Sequence, residues 1–282
     1  EAIGDTVRVT ENNKGKVVLS EITGYTDIPH EPLKNVATYA VIKMLEALNS
    51  QKGFDIAIHK AIKPGSGIGS SGSSSAAAVY AVNQLLGRPC TEQQLIEFAM
   101  GGEELASGGK HADNVAPALM GGIIVIRSYQ PLDVIRIPPP EELQVVLLHP
   151  QIEIRTREAR DILPRQIDLK DAVYQWGNVA GLVAGLYSSD YDLIGRSMED
   201  IIVEPRRSSL IPGYHQLKEA AMKNGALGYT ISGSGPSVFA LAKGKEAAQS
   251  IAYAMRQTFE KQNLSFKIYV SSVNSKGAIK IE

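Results

Sequence analysis

Residues 65–75 read Gly-Ser-Gly-Ile-Gly-Ser-Ser-Gly-Ser-Ser-Ser, and no other stretch so constrains the fold. Phe54, Ile56 and Ile58 alternate ahead of it, as on one face of a strand over 54–62. An alanine-rich stretch, 76–86, follows with helical character. Glycines let the backbone turn tightly and approach a ligand closely. The N–H groups at a helix start attract anions, aided by the helix dipole. Serine hydroxyls donate to phosphate oxygens or ligate hard cations. Strand, Gly/Ser loop and helix therefore predict a phosphate cradle. A flexible linker of this composition does not normally join a strand directly to a helix start.

Composition narrows the rest. The chain has 282 residues, enough for one large or two moderate domains. A net charge of −1 gives no electrostatic footprint for nucleic acid or an anionic membrane. Cys90 is the single cysteine, so an internal disulfide is excluded and a reducing, cytoplasmic setting is expected. No apolar run reaches the roughly 18–20 residues of a spanning helix. The sequence opens at Glu1 almost directly in a strand-like Thr6-Val7-Arg8-Val9-Thr10. The expectation is that roughly 30 residues precede it in the native protein, a length estimated from one missing strand–loop–strand unit.

Periodicity supplies the remaining elements. Residues 7–10 and 16–22 read as two short strands around the turn Asn12-Asn13-Lys14-Gly15. Apolar positions over 35–48 recur at helical spacing. Thr91 caps a helix that runs to about residue 106, with Gln94 in capping-box position. Gly121-Gly122 lead into a strand over 123–126. A proline cluster, 138–140, marks a domain boundary, giving an N-terminal domain 1–140 and a C-terminal domain 141–282. The second half predicts strands at 143–148, 226–231, 237–241 and 266–270, and helices at 172–187, 191–198, 214–222 and 246–259. The mixture lacks strict βαβ alternation, which argues for an α+β fold.

Four known motifs compete for the Gly/Ser loop. A Walker A loop is excluded, because no Gly-Lys pair is followed by Ser or Thr. Gly67, Gly69 and Gly72 form a G-x-G-x-x-G, but the nearest acidic residue at the required distance, Glu92, sits in a turn into a helix. Ser107-Gly108-Gly109-Lys110 matches S-x-x-K without its companion motifs. The nucleophile elbow G-x-S-x-G is absent. What remains is P-x-x-G-I-G-S-S, from Pro64 to Ser71, plus a distant turn, Thr230-Ile231-Ser232-Gly233-Ser234-Gly235-Pro236-Ser237. That turn alone reads equally well as a tight hairpin. Two such loops in one chain favour a joint phosphate enclosure.

Together with His111-Ala112-Asp113-Asn114-Val115-Ala116-Pro117, these loops resemble the homoserine kinase branch of the GHMP kinase superfamily. Glu158-Ala159-Arg160-x-Ile162-Leu163-Pro164, Glu204-Pro205-x-Arg207 and Leu210-Ile211-Pro212-Gly213 are similar to that branch as well. The likeness runs from about residue 7 to near the C-terminus. It implies a two-domain GHMP kinase fold, with an N-terminal domain like ribosomal protein S5 domain 2 and a ferredoxin-like C-terminal domain. A left-handed βαβ crossover is implied in the first, against the usual hand. ATP is implied to lie in the N-terminal domain, facing the cleft.

The resemblance also implies site roles. Pro64, Gly65, Ser66, Gly67, Ile68, Gly69, Ser70, Ser71, Gly72, Ser73 and Ser74 would hold the ATP phosphates. A serine of the pair Ser70/Ser71, with Glu103, would ligate Mg²⁺, making Ser71 and Glu103 the catalytic pair. Asn114, Arg160 and Arg207 would bind L-homoserine, the arginines through its carboxylate. Gly233 would close over the substrate, and Asn35 would approach adenine. By residue type, Glu103 equally suits a solvated helix face, Asp113 and Asn114 suit turn caps, and His111 suits a structural hydrogen bond. No convincing general base is evident. Ile68 and Gly72 depart from the family's Leu and Ala, and Gly72 is expected to loosen the helix start.

The implied activity is ATP-dependent phosphorylation of the homoserine side-chain hydroxyl, a step of threonine biosynthesis. Two alternatives are a related kinase acting on another small alcohol and a non-catalytic ligand-binding member. A homodimer is the default oligomer.

Overall fold

In a computed structural model the described residues are 3–154, 159 and 161–281, with the side chains of 106 and 107 excepted. Backbone contacts divide the chain into two compact units. One comprises Ile3–Pro64, Gly69–Ile137 and 274–281, and the other Gly65–Ile68 and Pro138–Val273.

The first unit holds β1 (Thr6–Asn12), β2 (Val17–Gly24), α1 (Val36–Ala47), β3 (Gly53–Lys60), α2 (Ser70–Leu85), α3 (Glu92–Ser107) and α4 (Ala112–Met120). A hairpin of β4 (Ile123–Tyr129) and β5 (Leu132–Ile137) completes it. The two N-terminal strands flank the predicted turn but do not pair with each other. β3 lies between them, antiparallel to β1 and parallel to β2. Gly53 permits this, since a Cβ there would lie 2.3 Å from Asn12 Oδ1 and 2.5 Å from the Lys16 nitrogen. Phe54, Ile56 and Ile58 pack into a core with Val41, Met44, Val79 and Ile96. The capping box of Thr91 and Gln94 forms as expected.

Two expectations change here. The helix after the loop begins at Ser70, not Ala76. Serine and glycine are weak helix formers, but Ser70 donates to the Ile62 carbonyl (2.9 Å) and Ser75 to the Val36 carbonyl (3.3 Å), which fixes the early turns. Gly72 does not loosen this start. It is buried, and a Cβ there would meet Asn114 Cβ at 2.8 Å, so close packing requires glycine.

The second unit holds β6 (Leu143–Pro150), α5 (Leu169–Ser188), α6 (Tyr191–Ser197), the short α7 (Glu204–Arg207), α8 (Tyr214–Lys223), β7 (Gly228–Ile231), β8 (Val238–Lys243), α9 (Lys245–Phe259) and β9 (Phe266–Ser272). Its sheet is antiparallel in the order β7-β8-β6-β9. That order, reached through α8 before β7 and α9 before β9, is the ferredoxin-like arrangement. Val146, Leu148, Val238 and Ala240 pack against Leu217, Ile251, Met255 and Phe259.

The expected single crossing at residue 140 needs two corrections. Gly65–Ile68 join the second unit, and 274–281 return to the first. The tail is held by the Gly122 N–H on the Asn274 carbonyl (2.7 Å) and the Ala278 N–H on the Leu119 carbonyl (3.2 Å).

Candidate active site

Three glycines shape the loop before α2. Gly65, Gly67 and Gly69 all have φ between 71° and 78°, left-handed backbone that disfavours other residues. Gly69 is the N-cap of α2 and gives no side-chain cap. The first N–H groups of a helix have no intrahelical acceptor, so an uncapped start here faces its positive dipole end outward. Ser73 Oγ is buried and has no hydrogen-bond partner among the described residues. An orphaned hydroxyl in the first turn, beside an uncapped helix start, fits an anionic oxygen.

The serines divide by direction around the helix. Ser71 Oγ donates to Glu103 Oε1 at 2.5 Å. Ser70 Oγ is turned inward to Ile62, so of the expected pair Ser71 is the one beside the carboxylate. The hydroxyl of Ser74 is also turned inward. Its hydroxyl donates to Asp5 Oδ2 (2.7 Å) and accepts from Lys60 Nζ (2.8 Å). Lys60 forms a buried ion pair with Asp5 and donates to the Ser70 carbonyl (2.7 Å). Asp5 Oδ1 accepts the Ala61 and Ile62 N–H groups at 3.1 and 3.2 Å. Burial pushes the Lys60 pKa down, against the opposing pull of Asp5. Lys60 and Asp5 were not foreseen. The signal was Lys60 continuing the period-two face of Phe54, Ile56 and Ile58.

Glu103 is 4% exposed on α3. Burial raises its pKa, the Ser71 hydrogen bond and the charges of His111 and Lys60 oppose this, and Asp113 adds to it. Asn114, in the first turn of α4, is exposed, yet its side chain lies against the loop. A Cβ at Gly69 would come 3.0 Å from Asn114 Oδ1. Among the described residues no cluster of three metal-ligating side chains occurs. Ser71 and Glu103 offer two hard oxygen ligands, which suits Mg²⁺ completed by phosphate and water oxygens.

Asn35, expected near adenine, is the N-cap of α1. It is 2% exposed and caps α1, its Oδ1 accepting the Ala37 N–H (3.1 Å) and its Nδ2 donating to the Pro29 carbonyl (3.0 Å). Its side chain is occupied by helix capping.

In the second unit, the 230–237 turn is bonded to residues 66 and 67. Ser232 Oγ donates to the Gly67 carbonyl (2.7 Å), and Ser237 Oγ to the Ser66 carbonyl (2.6 Å). A Cβ at Gly67 would lie 2.5 Å from the Ser232 oxygen and 2.6 Å from that of Gly235. Two glycine- and serine-rich turns 165 residues apart thus meet backbone to backbone. Gly67→Ala is expected to cost about 2–4 kcal/mol, from left-handed strain plus the clash. A denaturant titration matching the unsubstituted protein would rule out that packing.

Arg207 Nε donates to the Ala159 carbonyl and its Nη1 to the Gly233 carbonyl, both at 3.0 Å. Arg207 is thereby fixed beside the turn. Arg160 lies outside the described residues.

Comparison with known proteins decides the family. Models of the GHMP kinase N-terminal and C-terminal domains match residues 35–122 and 182–261. The homoserine kinase of Chlorobium phaeobacteroides is 45% identical, over 97% of this chain and 88% of its own. That of Chloroherpeton thalassium is 48% identical, over 98% and 90%. The chain belongs to the homoserine kinases of the GHMP kinase family. A crystal structure of the Cytophaga hutchinsonii homoserine kinase superposes with a TM-score of 0.95 at 49% identity, covering 98% of this chain and 88% of that one. Mevalonate kinase of L. major, at 18% identity and a TM-score of 0.72, shares the fold alone. The homoserine kinase resemblance drawn from the two loops and the 111–117 segment therefore holds over nearly the whole chain.

Proposed function

We propose that this chain transfers the γ-phosphoryl group of ATP to the side-chain hydroxyl of L-homoserine, giving O-phospho-L-homoserine and ADP for threonine biosynthesis. The observation that carries it is the Ser71–Glu103 pair at the uncapped start of α2. In the reaction the acceptor oxygen bonds to γ-phosphorus as the bond to the β,γ-bridging oxygen breaks. Positioning and charge neutralisation are the main demands on the protein.

The N–H groups that open α2 and the Ser73 hydroxyl would hold phosphate oxygens. Ser71 and Glu103 would hold Mg²⁺, which when bound neutralises charge on the β- and γ-oxygens. Glu103 is bonded to Ser71, which suits a ligand better than a base. The acceptor proton then leaves to phosphate or solvent. Asn114 and Arg207 would orient homoserine, Arg207 through the carboxylate, a task for which its planar fork is suited. Arg160 keeps the same assignment on resemblance alone. A reducing cytoplasm suits the single, buried, free thiol of Cys90.

Arg207→Ala is expected to raise KM for homoserine by about 10–100-fold, the scale of a lost charged hydrogen bond, with KM for ATP little changed. Equal rises in both would point to a displaced turn instead. ADP release measured with L-homoserine, L-serine, L-threonine and mevalonate tests the substrate. Preference for any of the last three would refute the assignment.

A further inference from the structure

In Glu204-Pro205-x-Arg207 a carboxylate stands three residues before the arginine assigned to the acceptor, and the transfer described above makes no use of it. Glu204 opens α7 and is 7% exposed. It forms an ion pair with Lys218 Nζ on α8. Its Oε2 is buried with no hydrogen-bond partner among the described residues, as is the Tyr229 hydroxyl on β7. The Tyr214 and Tyr229 rings, 5.2 Å apart and each 2% exposed, close the cluster. Burial raises the pKa of both phenols and the Glu204 charge adds to the rise, which places both near the carboxylate.

Such a cluster is a poor way to gain stability. A buried ion pair is often matched or bettered by apolar side chains of similar volume, and a buried polar atom without a partner costs more. What a directed pair supplies is a fixed position. Position is what α7 lacks by itself. Four residues are too few to hold a helix by its own bonds, and the Arg206 and Arg207 N–H groups reach only the adjacent Val203 carbonyl, at 3.1 and 3.0 Å. Glu204 and Arg207, three apart, are neighbours on one helix face. Arg207 donates from Nε and Nη1 to the Ala159 and Gly233 carbonyls, both at 3.0 Å. Those bonds fix the guanidinium plane only while α7 keeps its height and rotation, since a shift of about 1 Å takes such a bond out of range.

Given the assignment of Arg207 to the homoserine carboxylate, on which this rests, we propose that Glu204 is a positioning residue for the acceptor. Through Lys218 it locks α7 onto α8, and so aims the Arg207 fork at the substrate.

Glu204→Gln keeps the volume and removes the charge that holds Lys218. It should raise KM for homoserine about 10-fold, the scale of one misplaced hydrogen-bonding group, with KM for ATP little changed. Because Glu204 acts through Arg207, Glu204→Gln should add nothing in an Arg207→Ala background. A lesion that merely loosened the fold would multiply the two losses and raise both KM values. If Glu204→Gln fails to fold, Lys218→Gln, at the half-exposed end of the pair, decides by the same KM split and the same background. A native KM for homoserine in the variant that folds, or multiplied losses with Arg207→Ala, would overturn the proposal. Should the unsubstituted protein phosphorylate an acceptor other than L-homoserine, the substrate reading fails separately. A crystal structure of the folded variant then decides: Arg207 displaced from the Ala159 and Gly233 carbonyls supports the positioning role, and Arg207 unmoved overturns it.

Discussion

Glu103→Gln should lower kcat by about 10²–10³-fold, the scale of one lost electrostatic contact to the transition state, while leaving the chain at least as stable at neutral pH. The two halves have one cause. Burial raises the Glu103 pKa, so the folded chain keeps a proton that the unfolded chain has lost. Ionised Glu103 therefore opposes folding. That cost is absent below the ordinary carboxylate range and complete above the raised folded value. Gln removes it and still accepts from Ser71. Without Mg²⁺ or nucleotide, the variant should equal or exceed the unsubstituted protein in stability at pH 7, and the difference should shrink toward about pH 4. Raising Mg²⁺ should restore turnover only in part, since one ligand is missing. Near-normal kcat, or unfolding typical of a core lesion, would dismiss Glu103 as a metal ligand.

Lys60→Met carries the largest expected stability loss, about 3–5 kcal/mol, because it strands a carboxylate that is fully buried. The Asp5 side chain is 0% and that of Lys60 3% exposed. Lys60→Met with Asp5→Asn should regain most of that loss, as Asn keeps an oxygen for the Ala61 and Ile62 N–H groups and leaves no unpaired charge. The double variant should still bind ATP more weakly, because Lys60 also ties the Ser70 carbonyl and Ser74 hydroxyl at the start of α2. Denaturant titration and the KM for ATP separate the two roles. A double variant with native stability and native KM would make Lys60 a purely structural ion.

The Gly/Ser loop was legible because its chemistry is local. Left-handed backbone needs glycine, and an apolar strand before and a helix after leave few uses for it. The four strands of the ferredoxin-like sheet were legible as short apolar runs between turns and helices. The helix start was misplaced by six residues, since serine propensity says nothing of the carbonyls at Ile62 and Val36 that receive their hydroxyls. The capping of α1 by Asn35 was not read from the sequence, since an Asn at a helix start does not say which N–H its oxygen will accept.

By itself the order of residues determined a glycine turn opening a helix, a second such turn, and membership of a kinase family that both imply. Those are short-range matters, settled by φ angles and side-chain type. Which serine faces Glu103, that Lys60 finds Asp5 across 55 residues, and that the two turns bond across 165, were decided by tertiary structure alone. One residue along a helix rotates a side chain by about 100°, and only the completed core says which rotation faces the carboxylate.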